Sequence, residues 1–241
     1  MILAAGLGTR LRPLTDNIPK ALVPIEGRPL LALQLDRLKG AGADDITVNV
    51  HHFADSIVRF IHCYDAHGIK LRLSCESDAP LDTGGGIRRA FIGGSDLPVL
   101  VHNVDILSNA DLSGLYMQCR GDADALLLVS ARPTRRYLLF DDDMRLTGWT
   151  DIATGEVRSP YIGFDPHRYR RLAFAGIHVV APKAITVMKE WPEKFPIIDF
   201  YIRNSRRLNV RGVVQSDLKL LDVGKPDTLK RAGEFMKEAG I

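Results

Sequence analysis

Hydrophobic and polar positions alternate in blocks along the chain, with short apolar runs giving way to stretches in which apolar residues recur every three or four positions. Residues 2–5 read as a first strand, short enough to expect that the natural chain starts a few residues earlier. Pro29 opens a helix in which Leu31, Leu35 and Leu38 share a face and which ends at Gly40 and Gly42. Residues 46–50 give the next strand, and 54–67 a helix with Ile57, Val58 and Ile61 inward and Gly68 as its stop. Ile69, Leu71 and Leu73 alternate with Lys70, Arg72 and Ser74, the pattern of a half-buried strand. A strand over 98–103, a helix near 111–119 and a strand over 125–131 continue the rhythm. The alternation predicts parallel strands joined by right-handed helical crossovers, hence an α/β fold: a three-layer α/β/α sandwich with a mostly parallel, Rossmann-like sheet.

From Tyr137 the pattern changes. Residues 137–140 and 144–149 flank the polar turn 141–143 and predict a hairpin, so the second half carries an antiparallel addition. A final helix is expected from Pro226 to about Glu238. No repeat, low-complexity tract or linker separates the halves, and one domain over 1–241 is expected, divided at about 135/136 and with no further domain after it.

Composition narrows the class. With 241 residues, 46% hydrophobic and 25% charged, the chain can build a substantial core. No apolar run reaches the roughly 20 residues a membrane span needs, and no secretory signal is visible, so a cytoplasmic location and no membrane partner are expected. A net charge of +3 gives no general affinity for nucleic acid. The cluster Arg168, Arg170 and Arg171 reads first as a solvated face. Cys63, Cys75 and Cys119 are too few and too scattered for a disulfide framework or a zinc site, and read as buried or reduced thiols.

The segment LAAGLGTRLRPLTDNIPKALVP, residues 3–24, changes the picture most. A strand runs into a loop where Gly6 and Gly8 bare the backbone and Thr9, Arg10, Arg12 and Lys20 add donors and positive charge, the composition of a polyphosphate site. The Walker pattern is absent. The dinucleotide fingerprint G-x-G-x-x-G has Leu11 at its third glycine, and His51 and His52 stand where its acidic residue belongs, which argues against hydride chemistry. A plain glycine turn with solvated arginines is the alternative.

Two further motifs fall at the same sheet edge. In open parallel sheets ligands collect beyond the carboxyl ends of the strands, and the TGGG segment and Asp105 both follow strands there. Asp105 and Asp222 each end an apolar strand and are the candidate magnesium ligands, since Mg2+ needs only one or two carboxylates beside phosphate oxygens and water. A turn or helix-cap role is the alternative for either. The loop 75–86, CESDAPLDTGGG, is the candidate base and ribose site, its glycines letting backbone lie against a planar base, with a simple glycine turn before a helix from Ile87 as the alternative. His51 and His52 are set aside as a metal pair, because neighbouring strand residues point to opposite faces. Trp149, Tyr161, Phe164 and Phe174 serve a sugar pocket or the core equally well.

The quoted segment 3–24 resembles the signature of sugar-1-phosphate nucleotidyltransferases, L-[AV]-[AG]-G-x-G-[TE]-R-[LM]-x-P-L-T-x-x-x-P-K-x-[LM]-x-P. The resemblance extends through LDTGGG at 81–86, VHNVD at 101–105, FAGI at 174–177 and LDVGKPDTL at 221–229. The form L-[ED]-T-G-G-G is similar to that of short bacterial N-acetylmuramate 1-phosphate uridylyltransferases, whereas guanylyltransferases using mannose 1-phosphate tend to read L-G-T-A-G.

The resemblance implies Mg-assisted transfer of a nucleoside monophosphate from an NTP, UTP first, to a sugar 1-phosphate, N-acetylmuramic acid 1-phosphate first, with release of pyrophosphate. It implies Ala5, Gly6, Gly8, Thr9, Arg10, Arg12, Asp82, Thr83, Gly84 and Gly85 on the nucleotide, and Lys20, Asn103, Ala175 and Gly176 on the sugar phosphate. Arg10, Lys20 and Asp105 would carry the catalysis, with Asp105 and Asp222 on the metal. It also divides the chain into a nucleotide part and, after about 135, a sugar-phosphate part, in a monomer or small homo-oligomer. Val104 departs from the glycine usual before the metal aspartate, so the backbone there is not a glycine-only conformation. Arg158 is the nearest basic substitute for the second lysine that larger relatives place on the sugar phosphate. Mannose-1-phosphate guanylyltransferase, phosphocholine-type cytidylyltransferase and a nucleotide-sugar-sensing regulatory subunit are the other readings.

Overall fold

The first strand is only two residues long, Ile2–Leu3, yet it pairs on both sides: Ile2 lies opposite Val48 and His102, and Leu3 opposite Asn49 and Asn103. These relations come from a computed structural model, which describes residues 1–66, 68–76, 79–119 and 121–241. The chain divides into two compact units, one of residues 1–81, 101–113 and 218–241, the other of 82–100 and 114–217.

In the first unit, parallel strands run in the order 101–103 (the end of the strand Val99–Asn103), Ile2–Leu3, Asp45–Val50 and Lys70–Cys75. The first strand ends two residues earlier than expected because the Ala4 N–H leaves the ladder for the Asn49 side chain, 2.7 Å away. The helix Leu30–Gly40 starts after Pro29 instead of on it, since Arg28–Pro29 is occupied in a small hairpin with Pro24–Ile25. The turn of that hairpin has φ +48 at Glu26 and +78 at Gly27. Leu31, Leu35 and Leu38 are fully withdrawn from water, as their spacing predicts. The helix Ala54–Cys63 buries Ile57 alone and leaves Val58 and Ile61 half-buried, because it flanks Lys70–Cys75, the edge strand. That helix ends at Cys63, with Tyr64 already in extended backbone, short of the expected 67; His67 itself, and Ser77 and Asp78 of the 75–86 loop, lie outside the described residues. A short antiparallel ladder joins Ile106–Ser108 to Leu220–Asp222. The expected final helix is two, Pro226–Lys230 and Ala232–Ala239, the second stopped by Gly240 at φ +70.

In the second unit the strand order is Glu156–Arg158, Leu146–Asp151, Arg136–Phe140, Arg170–Val180, Ala125–Ser130 and Val210–Val214. Only the last pair is parallel. The expected hairpin is present as Arg136–Phe140 with Leu146–Asp151, its return closed by Met144 at φ +59. Together the parallel core strands with flanking helices and the antiparallel second half make the α/β class the alternation predicts. The strands Glu156–Arg158, Arg170–Val180 and Val210–Val214 are additional to those the hydrophobic pattern predicts.

The TGGG segment is a correction. It is the first turn of the helix Asp82–Ala90, which starts five residues before Ile87. The N–H groups of Gly84 and Gly85 donate to Phe195 O at 2.9 and 3.2 Å, and Ile197 N–H donates to Thr83 Oγ1 at 3.0 Å. A Cβ on Gly84 would stand 2.2 Å from the Phe195 ring. Glycine is therefore required there by close packing. Gly84→Ala is expected to destabilise the chain by about 2 kcal/mol despite alanine's better helix propensity, read as a lower urea midpoint.

His102 is fully buried in the first unit, with Nδ1 2.8 Å from Asn103 O, and burial pushes its pKa down to about 4. The unfolded chain, with an ordinary histidine near 6.5, binds a proton that the folded chain refuses, so this stability is complete above about pH 7.5 and lost as pH falls toward 4. His102→Gln is expected to flatten the fall in urea midpoint between pH 7 and pH 5, by an amount on the order of 1–2 kcal/mol.

Candidate active site

After Leu3 the chain turns out of the sheet and folds back on itself. Gly8 takes φ +66, and a Cβ there would come within 2.9 Å of Thr15 Cγ2 and 3.1 Å of Lys20 Cβ. Buried Thr15 donates its hydroxyl to Gly8 O at 2.8 Å and clamps the fold-back. Thr9–Leu11 makes a single turn that buries Leu11 and leaves Thr9 and Arg10 exposed. Gly6 is exposed, and a Cβ on it would meet nothing within 4 Å. Ala5 is half-buried beside it. Arg12 is exposed and paired with Asp16, Nε to Oδ1 at 3.3 Å, a local contact that engages the guanidinium within the loop.

Lys20 begins a second short turn, Lys20–Leu22, and is nine-tenths buried. Its ammonium pairs directly with the Asp105 carboxylate, whose side chain is 15% exposed. Asp105 is fixed from three directions. Val104 N–H donates to Leu3 O at 3.1 Å, Val223 N–H donates to Asp105 O at 2.9 Å, and Gln34 Nε2 donates to the next carbonyl, Ile106 O, at 2.7 Å. Val104 is buried, and it is not among the residues with positive φ, so the backbone there is an ordinary one, as the valine requires.

Asp222 lies opposite Ile106 in the short ladder, which brings it beside Asp105. Its Oδ1 accepts the Gly224 N–H at 2.8 Å, the turn geometry that was the alternative for this residue, while the carboxylate still faces the cluster. A Cβ on Gly224 would stand 2.7 Å from Asp222 Oδ1, 2.8 Å from Arg10 Nη2 and 3.1 Å from Lys20 Nζ. Arg10, Lys20 and Asp222 thus close on one point, with Asp105 paired to Lys20, the four drawn from three separate segments, 3–24, 101–105 and 221–229. Asn103 ends the neighbouring strand and is half-buried.

The cluster offers two kinds of binding. Two cations on a backbone loop can take phosphate oxygens. Two adjacent carboxylates are hard oxygen donors that fit a divalent cation such as Mg2+, provided phosphate and water complete its shell. Among the described residues no group of three or more His, Cys, Asp and Glu could hold a metal.

In the second unit, Gly176 has φ +76 and sits where the pairing of Arg170–Val180 with Ala125–Ser130 shifts register, between Phe174 and His178. Such a bulge frees ladder groups around Ala175 and Gly176, both buried, while Phe174 O accepts from Arg132 Nη2 at 3.0 Å. Asp82 has φ +63 as it enters its helix. The N–H groups of Gly84 and Gly85 are already engaged, so backbone donation to a base edge from these two is not free in this structure. Arg158 lies 3.8 Å over the Trp149 ring and donates to Asp199 Oδ1 at 2.6 Å. Buried Trp149 packs in the core, Phe164 stacks on Tyr169 with centroids 4.6 Å apart, and Phe174 lies 5.5 Å from the His178 ring. Tyr161 is 38% exposed. His51 Nδ1 lies 2.6 Å from Glu76 O, while the His52 ring packs on Phe53.

Sequence reasoning missed Gly224, Thr15, Asn49 and Glu76. Gly224 lay inside the quoted LDVGKP motif, and a glycine two residues after a candidate ligand was the signal available. Asn49 was visible as a polar residue at a buried position of an apolar strand.

The chain matches the family described as nucleotidyl transferase over residues 1–137. It is 32% identical over 99% of its length to an N-acetylmuramate alpha-1-phosphate uridylyltransferase of Caulobacter vibrioides, covering 97% of that protein. It is also 32% identical, over 57% of its length and 39% of the relative's, to a mannose-1-phosphate guanyltransferase of Hypocrea jecorina. Its fold matches UDP-glucose pyrophosphorylase from Acinetobacter baumanii with a TM-score of 0.79 at 18% identity, over 98% of this chain and 91% of that one.

Gly224→Ala would force Asp222, Arg10 and Lys20 apart. Turnover is expected to fall about a hundredfold, the scale of one misplaced charge contact, with the thermal midpoint lowered by only a few degrees in a melting scan.

Proposed function

The chain belongs to the nucleotidyl transferase family and is a sugar-1-phosphate nucleotidyltransferase, and we propose that it joins UTP to N-acetylmuramic acid 1-phosphate, releasing pyrophosphate. The observation that supports this most is the convergence of Arg10, Lys20 and Asp222 on Gly224, with Asp105 paired to Lys20. The uridylyltransferase likeness over nearly the whole chain supports the choice of substrates.

A phosphate oxygen of the sugar 1-phosphate attacks the α-phosphorus in line, a new P–O bond forms, and the bond to the β-phosphate bridging oxygen breaks. No covalent intermediate on the protein is needed, so positioning and charge neutralisation carry the catalysis. Ala5, Gly6, Gly8 and Thr9 line the triphosphate, and Arg10 braces the departing pyrophosphate. Lys20 shares its charge between the α-phosphate and the incoming sugar phosphate, drawing on the ammonium that the pair with Asp105 keeps in place. Asp105 and Asp222 would hold a divalent metal, proposed to be Mg2+, which would supply further positive charge at the α-phosphate. Arg12 supports the loop, tied to Asp16. Asp82, Thr83, Gly84 and Gly85 are assigned to the nucleoside, with the glycines acting through packing, and Asn103, Ala175 and Gly176 to the sugar phosphate.

The product points to cell-wall recycling, in the cytoplasm where nucleoside triphosphates are held, by a monomer or small homo-oligomer. No helix among the described residues is long and apolar enough to cross a membrane.

The test is magnesium-dependent pyrophosphate release with UTP, GTP, CTP and dTTP against the 1-phosphates of N-acetylmuramic acid, mannose, glucose and N-acetylglucosamine. Turnover is expected with UTP and the muramic acid substrate. The guanylyltransferase likeness makes GTP with mannose 1-phosphate the pair that would replace them. Lys20→Ala is expected to lower turnover about a hundredfold or more in the same assay, and near wild-type turnover would remove Lys20 from the reaction.

A further inference from the structure

Glu76 is 3% exposed, yet no lysine or arginine among the described residues forms an ion pair with it. Its carboxylate is held by amides. Oε1 accepts from Asn49 Nδ2 at 2.7 Å, and Oε2 accepts from the Leu81 N–H at 2.8 Å. The other end of the Asn49 side chain, Oδ1, accepts from the Ala4 N–H at 2.7 Å. Asn49 is 2% exposed. The Glu76 main chain is fixed as well, its N–H donating to Val50 O at 2.8 Å and its carbonyl facing His51 Nδ1 at 2.6 Å.

An uncompensated buried carboxylate is costly, and pure stability would favour an apolar residue here. The chain of bonds has a direction that only this pair of residues provides. Ala4 is the last residue before the phosphate loop, and Leu81 the last before the helix that carries Asp82, Thr83, Gly84 and Gly85. We infer that Glu76, acting through Asn49, is a positioning residue for the nucleotide, setting where the phosphate loop departs at Ala4 and where the LDTGGG segment begins at Leu81. The inference rests on the proposed assignment of those two segments to the nucleotide.

The bond directions make it testable with near-isosteric changes. In Glu76→Gln the new amide must point its NH2 at either Asn49 Nδ2 or Leu81 N–H, both donors, and rotating Asn49 to relieve the first clash presents a donor to Ala4 N–H. In Asn49→Asp two carboxylates face each other. In the double substitution Asn49→Asp/Glu76→Gln every bond is restored with one reversed: the new carboxylate accepts from Ala4 N–H and from the new amide, whose oxygen accepts from Leu81 N–H.

Steady-state kinetics should be measured for these three variants and for Arg10→Ala, with the nucleoside triphosphate and sugar 1-phosphate that the wild type turns over, alongside melting scans. Each single substitution is expected to raise KM for the nucleoside triphosphate about tenfold, the effect of one mispaired buried hydrogen bond, and KM for the sugar phosphate by less than about twofold. The double substitution is expected to recover the nucleotide KM to within about threefold of wild type. An unchanged nucleotide KM in Glu76→Gln, an equal rise in both KM values, or a double variant no better than the singles would overturn the inference. If Arg10→Ala leaves the nucleotide KM unchanged, the assignment of the phosphate loop is what fails.

Discussion

The pairing of Lys20 with Asp105 is the constraint around which the first unit is arranged. An ammonium and a carboxylate largely withdrawn from water stabilise the chain little unless their partners are fixed, and the loss of either leaves a costly unpaired charge. The chain fixes both. Thr15 clamps the glycine loop so that Lys20 reaches inward, and three backbone or amide bonds hold the segment around Asp105. The short ladder then carries Asp222 to the same place, and Gly224 leaves room for Arg10 to join. An arrangement this expensive in desolvation is understandable when the charges have an outside task, and polyphosphate chemistry supplies one.

Much of this was legible in the sequence where local chemistry is strong. The parallel core strands followed from apolar runs between helical periods, and Leu31, Leu35 and Leu38 are buried as their spacing requires. Arg10, Lys20, Asp105 and Asp222 could be named because Arg10 and Lys20 lie in one dense motif after the first strand, and Asp105 and Asp222 each in a motif at a strand end. What could not be read was decided by distant partners. The helix Asp82–Ala90 takes in three glycines, a composition that argues for a loop, because Phe195, more than a hundred residues away, supplies a carbonyl to its first turn and a ring against Gly84. The strands of the second unit pair antiparallel over long separations, and the register shift at Gly176 has no local signature beyond the glycine itself.

The two roles of glycine in this chain separate cleanly. At Gly8 and Gly84 a side chain would collide with the protein's own packed atoms, so glycine there is a packing requirement that folding itself enforces, while at Gly224 it would meet the ends of Asp222, Arg10 and Lys20 and disturb the site before the fold. The polar residues Thr15, Asn49 and Glu76 are the counterpart, buried groups whose hydrogen bonds hold the loops that those glycines allow.

Gly6 belongs to neither group. A methyl group there would touch nothing in the protein and would incur no left-handed strain. Folding is therefore indifferent to this position, and any intolerance of a larger residue at Gly6 registers the footprint of the ligand alone. In a library of variants sorted separately for abundance and for turnover, Gly6 is the position where the two maps should part, giving a direct outline of the bound phosphate without a co-crystal.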